Sequence, residues 1–182
     1  MKNKTAANKA IIKFVIFFLI STAILHYISS LDIFRKNIGE KILLSDAAII
    51  KKIFNIAGIK SIITTDRINE GFFSIIINSN SVNVVYDCAS IFSIFLLVSA
   101  MLAFNSKIKD KIIGIPIFSF VLYFINIIRL IVLSCIGGYF PKYLNFAHLY
   151  LWQILMIFIV VFLWGVWIEK VVSNKNKIVI FN

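Results

Sequence analysis

Three residues with reactive side chains lie far apart in the sequence, each beside or inside a long apolar run. Cys88 stands at the start of one run, Arg129 lies within a second, and His148 opens a third. A thiol can attack a carbonyl, an imidazole can take up and return its proton, and a guanidinium can stabilise a negatively charged oxygen. The elements that carry these residues decide whether the three groups can meet.

The composition predicts an integral membrane protein. Hydrophobic residues make up 60% of the 182 residues and charged residues only 15%, whereas a globular chain has about 45–50% and 25%. A helix needs about 20 residues to cross the hydrocarbon core. We therefore predict an all-α membrane protein with one membrane domain over residues 1–182 and four transmembrane helices, at 14–31, 85–104, 112–139 and 148–168.

The segment 32–84, between the first two predicted spans, contains an amphipathic helix from Glu40 to Ala57. Its apolar positions recur on one face, which fits a helix lying on the membrane or one packed on the protein itself; the pattern leaves both open. After Gly58, three runs rich in Ile, Val, Thr and Phe alternate with turn residues, which predicts a small β-meander. Its strands would be Ile59–Thr65, Phe72–Ile77 and Val82–Tyr86.

The net charge of +11 comes largely from lysines at the ends of the apolar runs. Lysines in such places are topology signals and contacts to anionic membrane lipid, so we do not predict a nucleic-acid partner. Ten lysines lie in the two termini and the 105–111 loop, whereas the opposite short loop has only Lys142. The termini are therefore predicted to be cytoplasmic, in a multi-pass membrane protein.

This topology brings the three reactive residues to one depth. Cys88 and His148 lie where their helices enter the membrane from outside. Arg129 is 17 residues beyond the inner edge of its helix, at residue 112, which places it ~25 Å up a core of ~30 Å. An arginine at that depth is costly and is usually functional, and it should face the interior of the bundle. We therefore predict an active site near the outer face.

Neighbouring residues refine this hypothesis. Asp87 is a favourable N-cap, which would put Cys88 in the first turn of its helix and lower the pKa of the thiol. Asn126 lies three residues before Arg129 on the same helical face and is predicted to orient it. Cys135 is interpreted as an ordinary small hydrophobe. A disulfide between Cys88 and Cys135 is an alternative that would remove the nucleophile.

At these residues the chain resembles the exosortase/archaeosortase family of membrane transpeptidases. The resemblance rests on Cys88, on Asn126-Ile127-Ile128-Arg129 and on His148, in this order, and it extends over roughly residues 40–170. Two features differ from the family pattern. Cys88-Ala89-Ser90 stands in place of Cys-Ser-Gly, and four predicted spans replace about eight, so the chain looks like a short, minimal member.

The resemblance implies a cysteine peptidase or transpeptidase of a bacterial or archaeal cytoplasmic membrane that cleaves C-terminal sorting signals of exported proteins. Such a signal has a short motif, a transmembrane helix and a basic tail. Cys88 would form a thioester with the substrate, assisted by His148 and Arg129, with Asn126 in an orienting role. An acceptor amine or hydroxyl, on a lipid or a glycan, would then resolve the thioester. Neither a metal nor an organic cofactor is expected.

Two alternatives come from other classes of protein. A non-enzymatic membrane assembly or scaffold subunit would fit the short chain and a surface helix that carries Lys51 and Lys52. A small transporter could use Arg129 as an anion site, although the sequence has no pair of broken helices.

Overall fold

The computed structural model describes residues 2–173, with the side chains of residues 8, 9 and 11–170. Short helical turns connect five long helices and three strands. The elements are α1 (Lys2–Ser30), α2 (Glu40–Ile56), β1 (Ile62–Thr64), β2 (Phe72–Ile77), β3 (Asn80–Val85), α3 (Ile91–Ala103), α4 (Ile108–Tyr139) and α5 (Gln153–Trp167). The lysines of the predicted basic tail at positions 175 and 177 lie outside the described residues, as do the side chains of Lys2 and Lys4.

Three helical stretches are long and apolar enough to cross a membrane, as expected for a multi-pass membrane protein. They are Ile11–Ser30, Ile108–Tyr139 and Pro141–Lys170. The predicted second span, 85–104, is shorter than expected because its helix covers only Ile91–Ala103. Its 13 residues extend about 20 Å, less than the ~30 Å of a hydrocarbon core. The prediction of four full-length spans is therefore not confirmed.

Helix boundaries also differ from those predicted by hydropathy. Helix α1 begins at Lys2, well before residue 14, and α4, the helix of the third predicted span, begins at Ile108, before residue 112. Charged residues can continue a helix beyond the membrane, so an apolar run does not mark where the helix itself ends. The last membrane helix begins at Pro141 rather than at His148, because a proline is accommodated in the first turn of a helix.

The amphipathic helix α2 packs on the protein itself. Its apolar face is fully covered, since Leu43, Ala47, Ile50 and Phe54 are each at most 3% exposed. These side chains share one hydrophobic cluster with the sheet and α4, formed with Phe73, Ile75, Ile77, Val84 and Leu130 among others. Of the two placements left open by the sequence pattern, the structure therefore has the helix in its own core.

The predicted β-meander is present as a three-stranded antiparallel sheet in the order β1-β2-β3. Strands β2 and β3 are joined at Asn78 and Ser79, which both have positive φ, as in the two-residue turn that matches the twist of a hairpin. Inward-facing residues of β2 alternate with less buried ones, and Phe73 and Ile75 are fully buried. The sheet thereby presents one apolar face to α2 and α4.

Two glycines allow the β2–β3 hairpin to lie directly on α4. A Cβ atom added at Gly138 would overlap Ile77, and one added at Gly137 would overlap Val82. The Asn80 side chain donates a hydrogen bond from Nδ2 to the carbonyl oxygen of Gly138, at 2.8 Å. The hairpin is thus fixed against the last turns of the helix that carries Arg129.

The opposite end of α4 packs into a second apolar cluster with α3 and α5. Its fully buried members include Leu97, Met101 and Trp167. The Trp167 indole donates to the carbonyl oxygen of Asp110, at 3.2 Å, and a Cβ at Gly114 would overlap that indole. We call this the lysine end, defined by Lys13, Phe104, Lys111, Trp164 and Trp167. The cysteine end is defined by Cys88, Asn126, Arg129 and His148.

Candidate active site

Cys88 lies in a turn between the sheet and α3, not in the first turn of a helix. Strand β3 ends at Val85, and the next three residues form a 3-10 turn that ends at Cys88. Ala89 has extended backbone angles, and Ser90 occupies the N-cap position of α3. The prediction that Asp87 caps the helix of Cys88 is therefore wrong, and the helix dipole gives no reason for a lowered pKa. The helix begins later than predicted because the 3-10 turn Tyr86–Cys88 and the extended residue Ala89 separate it from the strand.

The structure brings Cys88 and His148 together. The Cys88 sulfur is 3.8 Å from Nε2 of His148, within the range of a hydrogen bond to sulfur. The two residues are 60 positions apart in the sequence and belong to different elements. The predicted proximity of these two residues is thus confirmed as a matter of geometry, and their chemical role is a separate question.

His148 lies in an irregular part of its helix. Residues Ala147–Trp152 form a π-helical turn between the short helix Leu144–Phe146 and α5. Such turns contain one extra residue, so they rotate the side chains that precede them relative to those that follow, and they are frequent at functional sites. The π-helical turn therefore contributes to the direction in which the imidazole of His148 points.

Asn126 connects Arg129 to the backbone of the cysteine. Its side chain is fully buried and donates from Nδ2 to the carbonyl oxygen of Cys88, at 3.3 Å. Its Oδ1 atom accepts a hydrogen bond from Nη1 of Arg129, at 3.4 Å. The predicted orienting contact between Asn126 and Arg129 is present. Because Asn126 uses both ends of its amide, it ties α4 to the turn that carries the thiol.

Arg129 has a hydrogen-bond donor that is not used within the described part of the chain. It is half-buried, and its Nε atom is buried with no hydrogen-bond partner among the described residues. Within the same part of the chain, no carboxylate forms an ion pair with it. An uncompensated buried donor on a cation is costly, so this guanidinium is suited to receive an anionic or carbonyl oxygen from outside the chain.

The surroundings of Cys88 disfavour the ionised form of its thiol. It precedes α3 and is only 8% exposed. Burial raises the pKa of Cys88, and the Arg129 guanidinium offsets part of that increase. A nucleophilic role for Cys88 would therefore require a base that takes up the thiol proton. His148 is the imidazole within reach of this proton.

Cys135 does not take part in this arrangement. Both cysteines are free thiols, and Cys135 is only half-buried. The alternative of a Cys88–Cys135 disulfide is thus absent from the structure, and the thiol of Cys88 remains available.

A buried carboxyl group on α2, that of Asp46, was not among the predicted site residues. The hydroxyl of Tyr123 in α4 donates to Oδ1 of Asp46 in α2, at 2.9 Å. Asp46 is fully buried, and its Oδ2 atom has no partner among the described residues. Burial raises the pKa of Asp46 from 3.8 to about 6, with the Tyr123 hydrogen bond acting in the opposite direction. The sequence does indicate that this carboxyl group is buried, because Asp46 falls on the apolar face of α2, between Leu43 and Ile50.

Residues just before the cysteine line a polar cavity. Tyr86 and Asp87 border a space of about 310 Å³ that also has Arg35, Glu40 and Glu70 in its walls. The guanidinium of Arg35 lies 5.4 Å from the centre of the Tyr86 ring. Charged groups of both signs therefore surround an opening directly beside the turn that carries the thiol.

Comparison of the chain with family models, curated proteins and solved structures found no match.

Proposed function

We propose that the chain is a membrane-embedded cysteine transpeptidase or protease that cleaves C-terminal sorting signals of exported proteins. One observation carries the proposal, namely the 3.8 Å separation between the Cys88 sulfur and Nε2 of His148. Residues distant in sequence and on different elements provide a nucleophile and a base within hydrogen-bond range.

The reaction begins with proton transfer. The Cys88 thiol gives its proton to Nε2 of His148 as the sulfur attacks the carbonyl carbon of the scissile peptide bond. The resulting tetrahedral intermediate collapses with cleavage of the carbon–nitrogen bond, and the imidazolium returns its proton to the leaving amine. An acyl-enzyme thioester remains. An acceptor amine or hydroxyl then attacks the thioester and gives its proton to His148, and the released thiolate is protonated again.

Arg129 stabilises the negative charge of the intermediate. Its Nε donor lacks a partner among the described residues, which favours binding of an oxyanion or of a substrate carboxylate. Asn126 acts as a positioning residue, because it holds both the guanidinium and the Cys88 backbone. This arrangement is preorganised, so little reorganisation is needed when charge develops.

The substrate fits the two environments that meet at this site. Its transmembrane helix would remain in the bilayer, and the polar segment before it would lie in the cavity lined by Tyr86 and Asp87. In the proposed topology α3 is a fourth, short span, the termini are cytoplasmic, and the cysteine end faces outward. The excess of lysines in the termini and the 105–111 loop supports that orientation.

The test is processing of a candidate exported protein that carries a C-terminal anchor. We expect the wild-type protein to shorten this substrate, and Cys88→Ala to reduce the rate of processing at least about 10³-fold. Cys135→Ala is the matched control, because it removes the other free thiol, and it should process normally. Hydroxylamine added during the reaction should trap the thioester as a hydroxamate of the cleaved product, read by mass.

Normal processing by Cys88→Ala, with both variants present in the membrane at equal amounts, would refute the thiol mechanism. That outcome would favour the alternative of a non-enzymatic assembly subunit. One argument for an assembly subunit was a helix lying on the membrane surface. That argument no longer applies, because the apolar face of α2 is covered within the chain. Charge reversal at the exposed Lys51 and Lys52 would then be the next variant, scored by loss of assembly.

A further inference from the structure

At the lysine end, a groove runs between α1, α3 and α5, far from the cysteine end. Its first part is a cavity of about 220 Å³ lined entirely by hydrophobic side chains, among them Phe14, Leu96, Ala100 and Val160. It lies at the depth of the apolar helices and offers no hydrogen-bonding side chain apart from the indole of Trp164. A flexible hydrocarbon chain matches such a space.

The second part of the groove has a different chemistry. This cavity of about 560 Å³ shares Phe14 and Trp164 with the first, and it also contains Lys13, Asn105 and Lys111. No acidic residue lines either cavity among the residues described here. Two ammonium groups and an amide therefore stand at one end of an apolar channel whose lining contains no carboxylate among the described residues.

Aromatic rings form the boundary between the two cavities. The rings of Phe14 and Trp164 stack at 5.5 Å between centroids, and Phe104 meets the other side of Trp164 edge-on at 6.0 Å. Tryptophan is favoured at the level of lipid headgroups, where its ring lies between apolar and polar surroundings. The boundary thus corresponds to the transition from acyl chain to headgroup.

We propose that this groove binds an anionic phospholipid, with an acyl chain in the apolar cavity and the phosphate beside Lys13 and Lys111. Lys111 donates one hydrogen bond to the carbonyl oxygen of Leu102, at 2.7 Å. An ammonium group has three protons, so two remain for a phosphate oxygen. The site does not depend on the function proposed for the cysteine end.

Charge distinguishes this occupant from a protein helix. A partner helix with basic residues at its cytoplasmic end, as the positive-inside rule favours, would be repelled by the lysines of the groove. A second copy of this chain would bring its own lysine-rich end to the same depth. An anionic headgroup is attracted by both lysines instead, each of which contributes roughly fivefold in affinity near a membrane surface.

Native mass spectrometry of the full-length protein in detergent tests the proposal. Phosphatidylglycerol and phosphatidylcholine with identical acyl chains would be added in separate samples. We expect one phosphatidylglycerol molecule to stay bound to the released protein, and phosphatidylcholine to be retained at least about fivefold less. Equal retention of the two lipids would refute the headgroup assignment.

Two variants and two matched controls locate the site. Lys13→Gln should weaken phosphatidylglycerol retention roughly fivefold, and Ile157→Trp should weaken it by filling the apolar cavity from its exposed rim. Lys142→Gln removes an exposed lysine at the other end, and Ile154→Trp adds a ring to the same helix outside the cavity, so both should retain the lipid.

The same spectra contain the outcomes that overturn the proposal. If Lys13→Gln and Lys142→Gln lower retention equally, the lipid binds by overall charge and the groove is not its site. If the wild-type protein is dimeric and Ile157→Trp makes it monomeric, the groove is an interface between two copies and the lipid assignment is wrong.

Discussion

The two ends of α4 differ in the kind of buried polar group that lacks a hydrogen-bond partner. At the lysine end, the indole of Trp167 donates to the carbonyl oxygen of Asp110 and is sealed within an apolar cluster. At and near the cysteine end, Arg129 and Asp46 each keep a buried polar atom without a partner. Within the described part of the chain, they are the only ionisable side chains that do so.

This difference is the one expected if the cysteine end is the reactive one, as proposed. A buried polar group without a partner costs free energy, so it persists where the group has a use beyond stability. Among ionisable side chains this cost falls on Arg129 and Asp46, whereas the unpartnered Nε1 atom of Trp164 at the lysine end belongs to a neutral side chain. The lysine end, where the Trp167 indole is hydrogen-bonded to the carbonyl oxygen of Asp110, serves as the control. Variants there should affect stability without affecting the proposed activity.

Replacing Arg129 should have the largest effect on this comparison. We expect Arg129→Gln to reduce processing of the anchored substrate about 10²-fold, since it removes the cationic donors from the developing oxyanion. The variant should nevertheless fold, because the lost hydrogen bond to Asn126 is long at 3.4 Å. Processing per amount of membrane-inserted protein is the measurement.

Trp167→Phe at the other end of α4 is the matched control. It removes the hydrogen bond to Asp110 and should lower stability by about 1 kcal/mol, with processing per folded molecule unchanged. Equal losses of activity in Arg129→Gln and Trp167→Phe would mean that Arg129 acts only through folding.

Glycine substitutions should give intermediate effects that separate the two ends. Gly114→Ala and Gly138→Ala each place a Cβ atom against a side chain that packs tightly on α4, Trp167 and Ile77 respectively. Both should destabilise the protein by about 1–3 kcal/mol, measured by thermal unfolding in detergent. Only Gly138→Ala should also impair processing at permissive temperature, because it displaces the sheet that leads to Cys88.

Gly165→Ala is the control for these glycines. An added Cβ at this position meets nothing within 4 Å, and alanine is a better helix former than glycine by about 1 kcal/mol. It should therefore leave stability unchanged or raise it slightly. Destabilisation by Gly165→Ala as large as that of Gly114→Ala would show that the tight contact with Trp167 is not the cause.

Asp46 should give the smallest effect, visible as a dependence of stability on pH. Its pKa rises from 3.8 to about 6 in the folded protein, so the folded state holds this proton more tightly than the unfolded state. Its contribution to stability is therefore fully present below pH 3.8 and is lost as pH rises through about 6. Protonation of Asp46 should make the Tm at pH 4.5 higher than at pH 7.5.

Asp46→Asn isolates this contribution from that of other carboxylates. The difference in Tm between pH 4.5 and pH 7.5 should change by a few degrees in the direction of less stabilisation at low pH, at roughly 2–4 °C per kcal/mol. Asp66→Asn, at an exposed position, should leave the difference as in wild type. An unchanged pH dependence in Asp46→Asn would contradict a buried carboxyl that is neutral at low pH.

Much of the architecture could be predicted because its signals are local. The runs Phe72–Ile77 and Asn80–Val85 alternate buried and exposed residues as strands do, and the first of them was predicted with its observed bounds. The apolar stripe of Glu40–Ile56 likewise predicted a helix. Boundaries were less accurate where a strand and a helix compete, as before Ile91, since hydropathy alone does not distinguish them.

The sequence by itself determined the long apolar helices and the β-meander, and it predicted a common depth for Cys88, Arg129 and His148, because each follows from hydropathy, local periodicity and the count of residues along a helix. Only the tertiary structure decided that the thiol lies in a turn and that α2 is covered by the core. It also decided that Asp46 meets Tyr123 and that 3.8 Å separates Cys88 from His148. These features depend on how helices are rotated and packed against each other, and no spacing within one segment encodes that rotation.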